Sequence, residues 1–313
     1  MTAHSVFLPL QPADTGAAIL FARVARDHSA ARLWCGQSLA IETQDIFAYL
    51  SGLGYGLPFG SGVELMPLRH PYLAAAAARS TALLSGHDFI AGVGPAATVF
   101  RDSIGVDYRS PLRATREYLA AMRGLLDGHG YDFGGPGGPA VLAPVDAPPV
   151  RIGVGVLGSR MAAVAGEFAD VAVTWLTPLE YLKGTIMPIM ADTAPADRTP
   201  SVSAVVHCAV ARPGRDLAKT VQAVVGAHLS LPHYVGMLNA AGVPVDAADP
   251  ARGSQELLDH DVVLTGTASE IAAGLQAYRD AGVDEVAVNV GGVYLTEGPA
   301  AALADLEAIL DEG

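Results

Sequence analysis

Glu64 is the residue whose setting is hardest to explain by folding alone. It stands in the apolar run V-E-L-M-P at residues 63–67, where a carboxylate is costly unless it is paired or used in chemistry. Arg69 and Arg101 are the cations available for a structural pair, and proton transfer is the alternative. His70, in the triplet Arg69-His70-Pro71, is either a proton donor or a polar residue opening a helix. The turn A-G-V-G-P-A-A at residues 91–97 presents Gly92, Val93, Gly94 and Pro95, and its glycines let a flat or phosphorylated ligand approach the backbone. It lacks the third glycine and the acidic residue about 20 positions on that a dinucleotide fingerprint requires. A second glycine-rich turn, G-V-G-V-L-G-S-R-M at residues 153–161, opens a helix with Gly158, Ser159 and Arg160 at its N-terminus. Such a terminus attracts anions and the arginine adds a bidentate phosphate partner, although an ordinary capped helix gives the same pattern. Trp34 and Trp175 lie near strand ends, where they either line a pocket for a planar ring or fill the core. No G-x-S-x-G elbow, H-E-x-x-H motif or carboxylate cluster with ligand spacing occurs, so no metal site is expected.

The elements that must position these residues alternate strand and helix. Apolar runs predict eight strands, at residues 5–9, 31–35, 60–66, 87–93, 150–156, 171–175, 201–211 and 285–290. Between them, periodicity predicts helices at 15–28, 43–53, 71–84, 111–126, 159–168, 178–190, 216–227 and 269–281, the last capped by Ser269, with an irregular insert at 231–252 and a C-terminal helix. Residues 57–94 form the central β/α/β unit, with two glycine-rich strand ends side by side in sequence. In parallel sheets such ends carry the ligand. Eight strands suit a closed (β/α)8 TIM-type barrel, and a doubly wound open sheet is the other arrangement this alternation permits. Residues 134–149 hold five Pro and four Gly and exclude a regular element. Because the pattern resumes directly afterwards, this segment is read as an internal loop of a single α/β barrel domain spanning 1–313, not as a domain linker.

Composition narrows the function classes. The chain has 313 residues, 51% hydrophobic and 16% charged, with a formal net charge of −13. That balance supports a large core and argues against nucleic acid as partner. No long uninterrupted apolar stretch or basic leader is present, so a soluble, cytoplasmic protein with no membrane partner is expected. Cys35 and Cys208 sit in apolar strands without metal spacing and read as buried free thiols.

Five stretches resemble the bacterial luciferase-like flavin and deazaflavin oxidoreductases. They are V-E-L-M-P-L-R-H-P-Y-L-A, S-G-H-D-F-I-A-G-V-G-P-A, S-P-L-R-A-T-R-E-Y-L-A-A-M-R-G-L-L, P-P-V-R-I-G-V-G-V-L-G-S-R-M followed by A-G-E-F-A-D, and L-T-G-T-A-S-E-I-A followed by Y-R-D-A-G-V-D-E-V. The resemblance implies a luciferase-like barrel with insertions that binds coenzyme F420 at its C-terminal mouth, FMN being the alternative, and that forms a homodimer. It implies a non-proline cis peptide between Gly62 and Val63 behind the cofactor ring, with Gly92, Val93, Gly94 and Pro95 flanking the ring and Gly158, Ser159 and Arg160 at the phosphate. Where the family often carries an acidic residue and a histidine after Trp34, this chain has Gln37 and Ser38. The glutamate that sugar-phosphate dehydrogenase members use is also replaced, near Pro95. Oxidation of an alcohol, which needs a base, is therefore disfavoured relative to hydride delivery to an activated double bond. The implied function is an F420-dependent reductase acting on a small-molecule or modified-peptide substrate of natural-product biosynthesis, for example converting dehydroalanine to alanine. An FMN-dependent monooxygenase and a non-catalytic barrel that serves as a binding subunit are the alternatives. Glu64, Gln37 and His70 are then the candidates for the chemistry, and Trp34 and Trp175 for substrate contact.

Overall fold

The structure is a computed structural model that describes residues 4–9 and 14–313. Ten strands occur in it: β1 (Ser5–Phe7), β2 (Leu33–Cys35), β3 (Phe59–Ser61), β4 (Glu64–Leu65), β5 (Phe89–Gly94), β6 (Val150–Gly155), β7 (Val171–Trp175), β8 (Ser201–Val210), β9 (Val263–Gly266) and β10 (Glu285–Asn289). Eight of them run β1, β2, β3, β5, β6, β7, β8, β10 in spatial order, every pair parallel, and β10 pairs with both β8 and β1. The sheet therefore closes, and the fold is a TIM-type barrel, not an open sheet. The eight barrel strands are the eight that the apolar runs predict.

Differences from the sequence expectations have local causes. The single strand expected at 60–66 is interrupted by a cis peptide between Gly62 and Val63, so β3 ends and the two-residue β4 restarts beside Val93 and Gly94 of β5. β9 was not anticipated. It lies outside the ring, paired with the end of β8 that extends past β10, from His207 to Val210. The insert at 231–252 is not irregular. It contains the helix Pro232–Ala240 and the start of Pro250–Asp259, each with proline in its first turn, a position where the missing N–H costs nothing. The helix Ala268–Asp280 is capped by Thr267, not Ser269. Thr267 Oγ1 accepts from Glu270 N at 3.2 Å while Glu270 Oε2 accepts from Thr267 N at 2.8 Å, a reciprocal capping box. The expected 178–190 helix contains a π-helical stretch, Leu182–Ile186, and the C-terminal helix is divided at Gly298, whose φ is +86°.

Side chains fill the barrel in layers. At the N-terminal end, Arg32 donates to Phe59 O at 2.9 Å and to the Asp88 carboxylate at 2.8 Å, while Glu285 Oε1 accepts from Ser5 Oγ at 2.6 Å and Trp34 Nε1 at 2.5 Å. Above this polar plug lies an apolar layer that includes Trp34, Ile90, Val171, Val205 and Ala287. Such filling makes the barrel a packed core and leaves only the opposite mouth for ligands. The Trp34 indole reaches so far across that a Cβ on Gly60 would sit 2.7 Å from its Cε3. Among the described residues no helix is long and apolar enough to cross a membrane, and both cysteines are buried and free.

β3 and β5 approach each other closely at Gly92, where a Cβ would lie 2.0 Å from Ser61 O. Ser61 Oγ donates to Gly92 O at 3.0 Å across the same contact. Gly92→Ala must push the strands apart, and we expect a loss of roughly 1–3 kcal/mol or more of stability. Chemical denaturation measures it, and an unchanged midpoint would refute this account of Gly92.

Candidate functional site

A cavity of about 1490 Å³ opens at the C-terminal ends of the barrel strands. One side is a shelf formed by the Gly62–Val63 cis unit. Its backbone is satisfied by Gly62 N donating to Cys35 O at 2.9 Å and Gln37 N donating to Val63 O at 3.1 Å. The Val63 side chain rests over Gly94 and Gly155, where added Cβ atoms would stand 2.9 and 3.5 Å from its methyls. Gly62, Val63, Gly94 and Pro95 all line the cavity. Gly92 and Val93 do not: Gly92 is glycine because of Ser61, and Val93 is buried in the core.

A second side is cationic. The helix Ser159–Phe168 starts at Gly158, which offers no side-chain cap, and Gly158, Ser159 and Arg160 face the cavity. Arg160 is exposed and has no acidic partner among the described residues. Arg101 and Arg109 also line the cavity. Arg101 is used structurally, donating to Ala96 O at 2.6 Å, Pro95 O at 3.2 Å and Thr98 Oγ1 at 3.0 Å, which fixes the turn after β5. No described carboxylate lines the cavity. In a chain of net charge −13, three arginines and no acid at one mouth make a local anion site.

The candidates for proton transfer are dispersed. Glu64 is buried on the far side of the shelf and is not among the cavity residues. Its carboxylate accepts from Gln44 Nε2 at 2.9 and 3.1 Å and forms an ion pair with Arg69, which also pairs with Glu42. Burial raises its pKa, against the opposing pull of Arg69 and the Gln44 hydrogen bond. Of the two cations available in sequence, Arg69 is therefore the one that pairs. His70 caps the Pro71–Ser85 helix by accepting from Tyr72 N at 3.2 Å and lies in a separate surface cleft of about 540 Å³ beside Phe133. Gln37 is at the cavity, with Nε2 donating to Ser38 O at 2.8 Å and Glu42 Oε2 at 3.2 Å. Trp34 is fully buried in the barrel and bonded to Glu285. A ligand at the mouth cannot touch it, which corrects the expectation of substrate contact there.

Trp175 does line the cavity, and it belongs to a group of rings that sequence reasoning missed. It meets Phe7 edge-on at 5.1 Å and His207 edge-on at 4.7 Å, with His228 at 5.7 Å. His228 in turn meets Tyr234 at 4.9 Å, and His233 meets Tyr234 at 4.7 Å. Burial lowers the His207 pKa to about 3, with the His228 charge adding to the effect, and lowers His228 to about 4. Both rings are neutral near pH 7. The signal was present in the alternation of β8, where Ser203, Val205 and His207 share the inward face. Asn289 pairs with His207 in register and also reaches the cavity.

Comparison with known proteins agrees with this architecture. The model of the luciferase-like monooxygenase family matches residues 2–285. A 5,10-methylenetetrahydromethanopterin reductase of Methanolobus tindarius is 28% identical over 190 residues, which cover 58% of this chain and 57% of that protein. The match thus spans little more than half of that curated relative. Among solved structures, the coenzyme F420-dependent tetrahydromethanopterin reductase of Methanopyrus kandleri superposes with a TM-score of 0.74 at 19% identity, covering 99% of this chain and 100% of that one. The oxygenating constituent of 3,6-diketocamphane monooxygenase of Pseudomonas putida, solved with FMN, gives 0.69 at 16% identity, covering 100% and 97%. At these identities the structural likenesses speak for the fold.

Two outcomes follow from the site's electrostatics. Glu64→Gln removes the charge facing Arg69 and should cost about 1–3 kcal/mol of stability while leaving ligand affinity at the cavity unchanged. Denaturation and a binding titration on the same variant test this, and a loss of affinity with stability intact would restore Glu64 to the chemistry. For His207 the folded pKa lies below the unfolded value of 6.5, so the unfolded chain takes up the proton first and stability falls as pH drops below about 6.5. His207→Phe should flatten the fall in denaturation midpoint between about pH 7 and pH 5, and a slope equal to that of the unaltered protein would contradict the assignment.

Proposed function

The chain belongs to the luciferase-like monooxygenase family, whose members are F420- or flavin-dependent oxidoreductases, and we propose that it is an F420-dependent reductase. In this reading it delivers hydride to an activated C=C or C=N bond of a small-molecule or peptide natural-product intermediate, with a dehydroalanine unit as the model substrate. One observation carries the choice of reduction over alcohol oxidation: no described carboxylate lines the cavity, and burial lowers the pKa of His228 and His233, the histidines that do, which weakens them as bases. Removing a hydroxyl proton needs a base there, whereas reducing an activated double bond needs only a weak acid or water.

The residues present fit an anionic cofactor with a flat ring. The shelf of Gly62, Val63, Gly94 and Pro95 offers a surface without projecting polar groups, and the uncapped helix start at Gly158 and Ser159, with the free Arg160, offers N–H donors and charge for a phosphate. Bound in reduced form, the deazaflavin supplies the hydride. The chain's own part is to hold the ring against the shelf, anchor the phosphate, keep water from the apolar side near Val173, and leave the substrate face to Trp175. Gln37, whose amide is tied to Ser38 and Glu42, is the polar side chain at the β2 end and would orient the ring edge. The negative exterior suits a neutral or basic peptide. Exposed Leu73 and Leu84 on the Pro71–Ser85 helix, with Leu53 after the helix packed against it, would lie at the interface of a homodimer.

Separate titrations with F420 and FMN test the cofactor. We expect F420 binding that Arg160→Ala weakens about 10-fold, in line with one charge-assisted hydrogen bond. Tight FMN binding without F420 affinity would point to monooxygenation, and affinity for neither would leave a binding subunit. With reduced F420, a dehydroalanine-containing peptide should gain the mass of two hydrogens, and no gain would remove the peptide substrate.

A further inference from the structure

The aromatic side of the cavity holds polar atoms that folding leaves unused. Trp175 lines the cavity, yet its Nε1 is buried and has no acceptor. His207 directly behind it is 1% exposed, and neither of its ring nitrogens has a partner. Asn289, one strand over, accepts from Gly291 N at 2.8 Å through Oδ1, which leaves its Nδ2 as a further donor at the cavity without a partner among the described residues. Unpaired buried polar atoms of this kind cost roughly 1–3 kcal/mol each and are rare. Two residues of them, Trp175 and His207, meet where the inward faces of β7 and β8 reach the mouth, with the Asn289 amide of β10 beside them. An apolar ring in place of His207 would stabilise the fold better.

The chemistry of the group is uniform. Trp Nε1–H is a donor only, the Asn289 amide presents its nitrogen, and a neutral imidazole donates through one nitrogen. Such a group receives an oxygen acceptor without introducing a full charge. Its distance from the shelf is also set. Phe7 bridges them: a Cβ on Gly62 would lie 3.1 Å from Phe7 Cε2, and Phe7 meets Trp175 at 5.1 Å between ring centroids. A substrate lying on a ring held at the shelf would therefore have its far edge against Trp175.

We propose that Trp175, backed by His207 and flanked by Asn289, forms a neutral hydrogen-bond pocket for the carbonyl oxygen of the substrate, so that the preferred substrates are α,β-unsaturated carbonyl compounds. The role of the pocket in turnover rests on the reductase function proposed above, while its affinity for a carbonyl does not. In turnover, hydride arriving at the β-carbon forms a C–H bond and shifts the π pair onto the carbonyl oxygen. The donors hold that oxygen as negative charge builds on it, which lowers the barrier because they are already oriented. A proton from water then bonds the α-carbon and restores the carbonyl, and the two electrons come from the reduced cofactor, which is oxidised.

The test compares two ligands of one shape on the unliganded protein by ligand-observed NMR titration. Benzylideneacetone carries the conjugated carbonyl, and (3-methylbuta-1,3-dienyl)benzene, with C=CH2 in place of C=O, keeps the shape without the oxygen. The unaltered protein should prefer the ketone, and Trp175→Phe, which keeps the ring contacts but not the N–H, should lower that preference about 3- to 10-fold, the worth of one neutral hydrogen bond. His207→Phe should lower it too while raising or preserving the thermal midpoint, since a buried unpaired ring is replaced by an apolar one. That midpoint also confirms folding. An unchanged preference in both variants, or equal weakening of both ligands, would overturn the pocket and leave the Trp175 N–H satisfied by the face of the His207 ring. Loss of the preference in a protein that binds neither F420 nor FMN would keep the pocket and remove the reductase function. Turnover with reduced F420 and an unchanged preference would do the reverse.

Discussion

Much of this molecule follows from where one indole is placed. Trp34 lies across the barrel interior with its N–H on Glu285, and Glu285 also takes the Ser5 hydroxyl and stands 3.5 Å from Arg32. This joins the first, second and last barrel strands at the N-terminal end. The neighbouring strand must then carry glycine at residue 60, because no side chain fits beside the ring. With that end blocked by polar groups and the middle filled by apolar ones, the only large opening left to the described barrel is at the strand C-termini. The glycines on that side have different duties. Gly92 admits the Ser61 carbonyl, whereas Gly94 and Gly155 admit Val63 and so flatten the shelf.

The fold was legible to the extent that strand and helix periods are local. All eight barrel strands stand out as apolar runs, and the helices Pro111–Leu126 and Ser159–Phe168 have the predicted bounds. Closure is not local. It depends on β10 meeting β1 and β8, which no period of two reports. β9 escaped notice because it is four residues long and follows a charged helix end. The short proline-led helices after residue 231 escaped because so few turns do not establish a period.

The site was legible in part, and the failures have a common cause. Backbone features, namely glycine turns and a helix start, carry their meaning in sequence, and Gly62, Val63, Gly94, Pro95, Gly158, Ser159 and Arg160 all reach the cavity. Side-chain direction does not. Glu64 and Val63 are adjacent, yet one faces Arg69 and the other the cavity, since successive residues in extended chain point to opposite sides. Trp34 and Trp175 look alike as tryptophans near strand ends, but Trp34 is in the middle layer and Trp175 at the mouth. His207 was passed over because a lone histidine in an apolar strand resembles ordinary core, and its two unpaired nitrogens exist only in three dimensions.

The two tryptophans also differ as chromophores. They are the only ones in the chain, and the structure assigns them opposite environments: one indole sealed and bonded to a carboxylate, the other at the mouth among histidine and phenylalanine rings. Trp34 reports whether the barrel is closed, and Trp175 reports what lies in its mouth. The protein therefore carries two intrinsic optical probes about its own axis, so that assembly of the scaffold and occupancy of the site can be followed separately by emission alone, without an added label.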